Sequence, residues 1–220
     1  MAELFNAPGI ILKSEPVNEY DRRVVILTGN TGKISAFANG ARRQGNRFQA
    51  CTDLFVFADF KLYAGRSAYT ISEANVKNYF GEFREDFDAS LYGMYFLEVS
   101  DYITRENNDE KEMLILLYQG LRALIHPAYD KRLVKCVFEL KAVMLQGEFD
   151  LNRYEDRDKT VRYTLNYILN TEPKSLFSFM LKEEAIKELD IIAKNECRKA
   201  WDGHRFKSEE MLEMINFPLA

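Results

Sequence analysis

The sequence contains few of the residues on which metal centres and disulfide frameworks depend. Its three cysteines (Cys51, Cys136 and Cys197) are far apart, and its two histidines (His126 and His204) lie in different segments. Structural zinc sites use four such ligands at short spacings, and small secreted domains pair their cysteines. We therefore expect no metal ion, no cofactor and no disulfide. The cysteine usage indicates a reducing, cytoplasmic location.

Long apolar runs are also missing. None approaches the roughly 20 residues that a transmembrane helix needs. The first ten residues, MAELFNAPGI, lack a basic stretch followed by an apolar core, so we expect no secretory signal. With 220 residues, of which 47% are hydrophobic and 29% charged, the chain can bury a real core. We predict a globular protein without membrane contact.

Catalytic motifs are absent as well. The sequence has no G-x-S-x-G and no C-x-x-C pattern, and its acidic clusters fall in a predicted loop or at predicted helix starts. The segment Gly29–Lys33 (GNTGK) resembles a phosphate-binding loop, but that motif has four residues between its glycines and a Ser or Thr after the lysine. Here two residues separate the glycines, and Ile34 follows. We interpret the segment as a hairpin turn and expect that the protein is not an enzyme.

The pattern of the chain changes near residue 80. Before it, short β-rich runs are separated by turn residues, and after it apolar residues recur at helical spacing. The predicted strands cover residues 9–13, 22–28, 33–38, 54–63 and 69–71. The predicted helices cover residues 82–103, 110–125, 130–145, 160–169, 174–181, 183–200 and 208–215.

This order predicts an α+β protein of two domains. Because no helical pattern separates the early strands, we expect an antiparallel sheet. Five strands in under 80 residues favour a small OB-fold β-barrel over a sandwich, which needs more strands. We therefore predict an OB-fold domain over residues 1–80 and an all-α helical bundle over residues 81–220.

Basic residues are concentrated in the first domain. Residues 1–80 contain ten Lys and Arg against seven Asp and Glu, whereas residues 81–220 contain 20 against 27. Residues 22–52 contain six cations and no acid, and three arginines fall within six positions of GARRQGNR at 40–47. Arginines at the rim of a barrel can follow a phosphate backbone and release its counterions.

We therefore predict nucleic-acid binding. The main candidates for phosphate contacts are Lys33, Arg42, Arg43 and Arg47, and the lesser candidates are Arg22, Arg23, Lys61 and Arg66.

Three features near these candidates have two interpretations each. Phe37 and Phe48 either stack on unpaired bases or belong to the barrel core, and we favour the core. The arginine-rich segment is either a DNA contact or a solvated loop, and we favour the contact. A second basic group, Lys131, Arg132 and Lys135, opens a predicted helix. It is either a DNA or protein contact or a solvated helix face, and we favour the solvated face.

The order of these elements resembles the bacterial recombination mediator family RecO. The resemblance covers essentially the whole chain, and its specific part is the first 45 residues. It rests on GIIL at 9–12, Glu19, Asp21, Leu27-Thr28, Gly32-Lys33 and GARR at 40–43, with YFLE at 95–98 and FKS at 206–208 in agreement.

The resemblance implies a protein of DNA repair and recombination with an N-terminal OB-fold and a helical C-terminal domain. It implies binding of single- and double-stranded DNA, annealing of complementary strands and, with RecR, loading of RecA onto DNA coated by single-strand-binding protein. Many members carry a four-cysteine zinc module in the helical domain. The expected insertion point, residues 147–160, contains no cysteine, so we predict that this chain lacks the module.

Two other functions compete with this one. The chain could be an OB-fold protein-interaction module whose basic loop binds an acidic protein partner, which predicts affinity for generic acidic polymers as well as for DNA. It could also be a nucleotide-dependent enzyme built on the GNTGK turn. A nucleotide would then raise the thermal stability of the protein, because a ligand specific to the native state must do so.

Overall fold

The computed structural model describes residues 4–65 and 68–216, and of residues 213, 215 and 216 it describes only the backbone. The chain forms two compact units. One comprises Met1–Glu85 and Leu97–Leu114, and the other comprises Asp86–Phe96 and Ile115–Ala220, each as far as the described residues extend. Among these residues no helix combines the length and the apolar character that crossing a membrane requires.

The first unit contains a five-stranded sheet. Each strand is hydrogen-bonded to two neighbours in the order β1-β2-β3-β5-β4, so the sheet closes into a barrel. The predicted fold class, an OB-type barrel followed by helices, is confirmed. The strands are β1 (Leu4–Val17), β2 (Asp21–Thr28), β3 (Lys33–Ala38), β4 (Phe57–Ala64) and β5 (Tyr69–Asn78).

One strand pair differs from the expected antiparallel sheet. β3 and β5 run parallel, with Ala36 opposite Tyr69 and Phe37 opposite Thr70, whereas the other four pairs are antiparallel. The expectation considered strands that follow one another in the chain. β3 and β5 are not consecutive in the chain. Residues 39–56 carry the chain from β3 to the free edge of β1, where β4 pairs, and β5 then lies between β4 and β3. The prediction of a purely antiparallel sheet was therefore wrong.

The barrel core follows the period-two alternation of the strands. Along β3, Ile34, Ala36 and Ala38 point inwards and are buried, whereas Phe37 alternates to the outside and is half-buried. Phe48 enters the core from the 39–56 connection and is 6% exposed. The core interpretation is thus confirmed for Phe48 and was wrong for Phe37, whose position on β3 sets its side.

The GNTGK segment is the turn between β2 and β3, as predicted. The backbone N–H and the Oγ1 of Thr28 both donate to the carbonyl of Gly32, at 3.0 and 2.7 Å. The N–H of Lys33 donates to the carbonyl of Arg105 at 2.9 Å. The Lys33 N–H, which a phosphate-binding loop would offer to a ligand, is thus used within the first unit.

In the described part of the chain six α-helices follow the barrel, and five of them match predicted helices closely. The exception at the start is residues 82–103, which divide into a 3₁₀ turn at Gly81–Arg84 and α1. The helices are α1 (Phe87–Ile103), α2 (Lys111–Leu124), α3 (Lys131–Leu145), α4 (Lys159–Asn170), α5 (Glu183–Ala200) and α6 (Lys207–Asn216).

The predicted helix over 174–181 was wrong. The structure has a single 3₁₀ turn at Pro173–Ser175, after which the chain is irregular as far as α5. Eight residues are too few to offset the cost of helix nucleation without a strong apolar stripe. Leu176 is fully buried nonetheless, so the segment is held by its side chains.

Charged groups close several helix ends in the second unit. The Asp130 carboxylate accepts from the N–H of Arg132 at 2.8 Å, and Asp158 accepts from the N–H of Thr160 at 2.7 Å, so both are N-caps. The buried Nζ of Lys141 donates to two carbonyls in the last turn of α4, each at 3.1 Å. A cation at that position complements the helix dipole.

The basic group at the start of α3 is not a solvated face. Lys135 is only 7% exposed, and its Nζ donates to Glu139 at 2.7 Å. Arg132 forms a bidentate contact with Glu183, with nitrogen to oxygen distances of 2.7 and 2.9 Å. Lys131 pairs with Asp86 at 3.1 Å. The earlier interpretation was wrong: Lys131 and Arg132 meet carboxylates of other segments, Asp86 and Glu183, and Lys135 is buried against Glu139, one turn along its own helix.

Replacing Gly32 with alanine should destabilise the first unit. Gly32 has φ +66°, and an added Cβ would lie 2.2 Å from the carbonyl oxygen of Arg105, which is backbone and has little room to move. We expect the free energy of unfolding in urea to fall by about 2–4 kcal/mol.

Gly45→Ala is the matched control. Gly45 has φ +74° but nothing within 4 Å of an added Cβ, so it carries the backbone strain without the clash. We expect a loss of about 1 kcal/mol. Equal losses for the two variants would show that the contact with Arg105 does not limit this turn.

Candidate nucleic-acid interface

The arginine-rich segment lies in the connection between β3 and β4, which is a succession of turns. Gly40 and Gly45 take positive φ values of 70° and 74°, and the N–H of Gly40 donates to the Asp21 carboxylate at 2.7 Å. Further along, Phe48 and Cys51 are buried in the barrel core. The segment is therefore anchored on both sides of its arginines, and it is not a loose solvated loop.

Arg42 and Arg43 are held on the turn between β1 and β2. The N–H of Arg42 donates to the carbonyl of Tyr20 at 2.9 Å, and its guanidinium donates to the carbonyls of Asn18 and Glu19 at 3.2 and 3.1 Å. The guanidinium of Arg43 lies over the Tyr20 ring, 4.6 Å from its centre. Both side chains are exposed, and in the described part of the chain neither forms an ion pair.

Arg47 is positioned in the same manner on β5. Its Nη2 donates to the carbonyl of Ser72 at 2.7 Å, and its guanidinium lies 4.7 Å from the centre of the Phe48 ring. It too is exposed and has no carboxylate partner among residues 4–65 and 68–216. Carbonyls and rings orient these three arginines without cancelling their charge, so the full positive charge faces solvent.

Two of the other candidates are engaged in ion pairs inside the first unit. Arg22 donates to Asp53 at 2.7 Å, and Asp53 also accepts from Arg84 at 3.0 Å. Lys61 pairs with Glu73 across the β4–β5 ladder at 3.3 Å. Such cations can contact a phosphate only by giving up a carboxylate.

Arg23 and Arg66 differ from these. Arg23 is exposed on β2, and its Nε donates to the Ser35 hydroxyl at 2.8 Å, so its charge is not neutralised by that contact. Arg66 lies outside the described residues.

Lys33 has the strongest internal engagement of the predicted set. Its Nζ donates to the backbone carbonyl of Asp101 at 2.5 Å and to its carboxylate at 3.0 Å, and Lys13 contacts the same carboxylate at 2.6 Å. Burial acts to raise the pKa of Asp101, but the hydrogen bonds from Lys13 and Lys33 outweigh it and hold that pKa below its usual value. The carboxylate is therefore ionised at neutral pH and holds both lysines.

Tyr20 is a site residue that the sequence reasoning missed. It is 41% exposed, its carbonyl accepts from the backbone of Arg42, and its ring supports Arg43. The available signal was an aromatic residue in the short turn between two predicted strands. Its proximity to the arginine segment follows from the register of β2 with β3, in which Arg22 lies opposite Ala38.

Comparison with known proteins identifies the family. A family model described as Recombination protein O N terminal matches residues 1–80, and one described as Recombination protein O C terminal matches residues 84–149. The chain belongs to the RecO family. The resemblance on the sequence is thereby confirmed, and the family is one of DNA repair and recombination.

Relatives named DNA repair protein RecO agree with this assignment. Those of Symbiobacterium thermophilum and Moorella thermoacetica are each 34% identical, over 144 and 149 residues, which cover 66% and 67% of this chain. These alignments span 57% and 54% of the two relatives, little more than half of their length. The RecO protein of Acetivibrio thermocellus is 25% identical over 218 residues, covering 84% of this chain and 87% of the relative.

The Asp101 ion pairs predict an acid-sensitive contribution to stability. Because the folded pKa of Asp101 lies below the unfolded value of 3.8, its contribution is fully present above about pH 4 and is lost as the pH falls through the folded pKa. We expect Asp101→Asn to lower the unfolding free energy at pH 7 by about 1–3 kcal/mol.

Urea unfolding at a series of pH values between 7 and 2.5 measures both effects. The difference between the native protein and Asp101→Asn should shrink as the solution becomes acidic. A difference that stays constant across that range would show that the carboxylate charge is not what holds Lys13 and Lys33.

Proposed function

We propose that this protein is a DNA-binding recombination mediator of the RecO family. In this proposal it binds single- and double-stranded DNA through the barrel and anneals complementary strands. With RecR it helps to load RecA onto DNA coated by single-strand-binding protein. The observation that carries the proposal is the group of three exposed arginines, Arg42, Arg43 and Arg47, which are fixed in place without an ion pair in the described chain.

The way in which these arginines are held favours phosphate contacts. A guanidinium that is already oriented by carbonyls or a ring loses less conformational freedom on binding, and it has no carboxylate to give up first. Each contact with a phosphate releases counterions from the strand. Arg23 is the next candidate, since only a hydroxyl engages it, whereas Lys33, Arg22 and Lys61 would have to exchange a carboxylate for a phosphate.

Backbone contacts suit a protein that anneals strands. Phosphate contacts position a strand but do not read its sequence, and they leave the base edges free to pair with a complementary strand. Such binding is weak enough to be reversible and depends strongly on salt. The proposal needs no covalent step, so we propose that the protein acts without catalytic turnover and in the reducing cytoplasm.

A protein-interaction module remains the second candidate. The same arginines would suit an acidic protein surface, because a guanidinium binds carboxylates as well as phosphates. The two functions differ in what the ligand must offer. A DNA strand presents regularly spaced phosphates with condensed counterions, whereas an acidic polypeptide of low charge density releases few.

Replacing Arg42 and Arg43 together with alanine should weaken binding to single-stranded DNA. We expect a loss that is uniform across sequences, and a slope of log affinity against log salt that is shallower by about 1.4, since each contact with a single strand contributes about 0.7. Fluorescence anisotropy of a labelled strand at several salt concentrations measures both quantities.

The double variant Arg122→Ala with Arg162→Ala is the charge-matched control. Both residues are exposed arginines on α2 and α4, so the net charge changes equally. Its slope should equal that of the native protein. If the two double variants weakened DNA binding equally, the loss would reflect the net charge of the protein and not specific contacts of the barrel arginines. Binding of polyglutamate as tight as that of DNA would favour the protein-interaction module.

A further inference from the structure

The turn between β1 and β2 presents an exposed aromatic side chain beside the arginine segment. Asn18, Glu19 and Tyr20 form this turn, and Tyr20 is 41% exposed. Turns of this kind are usually built from small and polar residues. Because single exposed apolar residues are common on protein surfaces, the exposure of Tyr20 has a meaning only together with its surroundings.

The backbone of this turn is held by one residue, Arg42. The carbonyl of Tyr20 accepts from the N–H of Arg42 at 2.9 Å, and the carbonyls of Asn18 and Glu19 accept from its guanidinium at 3.2 and 3.1 Å. The backbone of Tyr20 is therefore fixed relative to Arg42. A tyrosine side chain has only two torsions to restrict, so a ring on a fixed backbone loses little conformational freedom when it binds a ligand.

Arg47 and Phe48 show what the support of an arginine by a ring requires. The guanidinium of Arg47 lies 4.7 Å from the centre of the Phe48 ring, and that of Arg43 lies 4.6 Å from the centre of the Tyr20 ring. Yet Phe48 is 6% exposed, whereas Tyr20 is 41% exposed. A ring can thus hold a guanidinium while the core encloses the rest of it. The exposure of Tyr20 exceeds what the support of Arg43 needs, and it leaves aromatic surface accessible to a ligand.

The turn itself is not a phosphate site. Glu19 and Asp21 flank Tyr20 in the sequence, and the Asp21 carboxylate accepts from the N–H of Gly40 at 2.7 Å. Because carboxylates repel an anion, what this turn can offer to a nucleic-acid strand is the ring of Tyr20 and not a charge. Contacts with phosphates are left to the guanidiniums of the arginine segment.

We propose that Tyr20 stacks on an unpaired base and makes this surface selective for single-stranded DNA. Every base has a flat π-face that can stack on an aromatic ring, whatever the sequence of the strand. A duplex hides these faces between neighbouring base pairs, so it reaches the arginines through its phosphates and offers nothing to Tyr20. The inference rests on the proposed function, since it assigns a strand preference to the same surface.

This selectivity distinguishes the substrate of annealing from its product. A base that lies on Tyr20 must leave the ring in order to enter the stack of the new duplex. The duplex then keeps only its phosphate contacts with the arginines, and salt weakens those contacts. Pairing of the two strands therefore removes one contact that the unpaired strand had with the protein.

Three labelled DNA probes separate the ring contact from the phosphate contacts. They are an oligo-dT strand, a strand of the same length with stable abasic residues in place of all bases, and a duplex closed by a hairpin at each end. Fluorescence anisotropy measures the affinity of the full-length protein for each probe. The abasic strand keeps the phosphates and lacks the π-faces, and the closed duplex exposes no terminal base pair.

Tyr20→Leu should weaken the binding of oligo-dT more than that of the other two probes. Weaker support of Arg43 should cost the same on all three, no more than about fivefold. A further loss of about 5- to 100-fold should appear on oligo-dT alone, the usual effect of losing one stacked base. The salt slope for oligo-dT should not change, because leucine removes no cation.

Two variants serve as controls. Tyr20→Phe keeps the ring and should bind all three probes as the native protein does. Tyr163→Leu changes another exposed tyrosine, which lies on α4 and is 72% exposed, and it should also leave the three affinities unchanged. A loss of equal size on the three probes for Tyr20→Leu would show that Tyr20 only supports Arg43. That result, no loss at all, or weak binding of oligo-dT by Tyr20→Phe would overturn the inference.

Failure of this inference can be told from failure of the proposed function. If the native protein binds none of the three probes at low salt, DNA binding by the barrel is wrong, and the ring contact is wrong with it. Alternatively, the native protein binds the probes and loses affinity when Arg42 and Arg43 are replaced with alanine, but Tyr20→Leu loses no more on oligo-dT than on the duplex. In that case only the strand preference is wrong.

Discussion

Closure of the five-stranded barrel is the constraint on which the rest of the first unit depends. β1 pairs with β2 along one side and with β4 along the other, so the chain must pass from β3 to the far edge of β1 before β4 can begin. The 39–56 connection makes that passage. Because it crosses the barrel, it can bury Phe48 and Cys51 in the core, and those anchors hold its arginines at defined places outside.

The cations of the first unit differ in whether a carboxylate pairs with them. Cations that lie on strands near carboxylates, such as Lys33 and Arg22, become internal ties: Lys33 to Asp101, and Arg22 to Asp53. The arginines of the crossing connection are met only by carbonyls and rings, because its one acid, Asp53, is engaged by Arg22 and Arg84. The basic stretch is continuous in sequence, yet its parts have different roles: the arginines of the connection, and Arg23 on β2, keep their charge available for a ligand.

In the second unit, buried charged side chains have partners that offset the cost of their burial. Lys135, Glu139, Lys141 and Glu196 are all buried, and three of them are fully engaged: Lys135 by a carboxylate, Lys141 by the last carbonyls of a helix, Glu196 by three donors. Burial of a charge is tolerated only with such partners. Glu139 departs from the pattern at one oxygen, which is why it stands out among the polar groups of this unit.

The sequence by itself determined the order of elements, the change from strands to helices near residue 80, and the dense arginine segment. These follow from local periodicity and composition, as the match of residues 22–28 and 33–38 with β2 and β3 shows. Tertiary structure alone decided the parallel pairing of β3 with β5, the support of Arg43 by Tyr20, and the ion pairs of Lys33 with Asp101 and of Arg132 with Glu183. Each of these joins residues that are distant in the chain. The energy of such a contact depends on separation in space, which local sequence patterns do not encode.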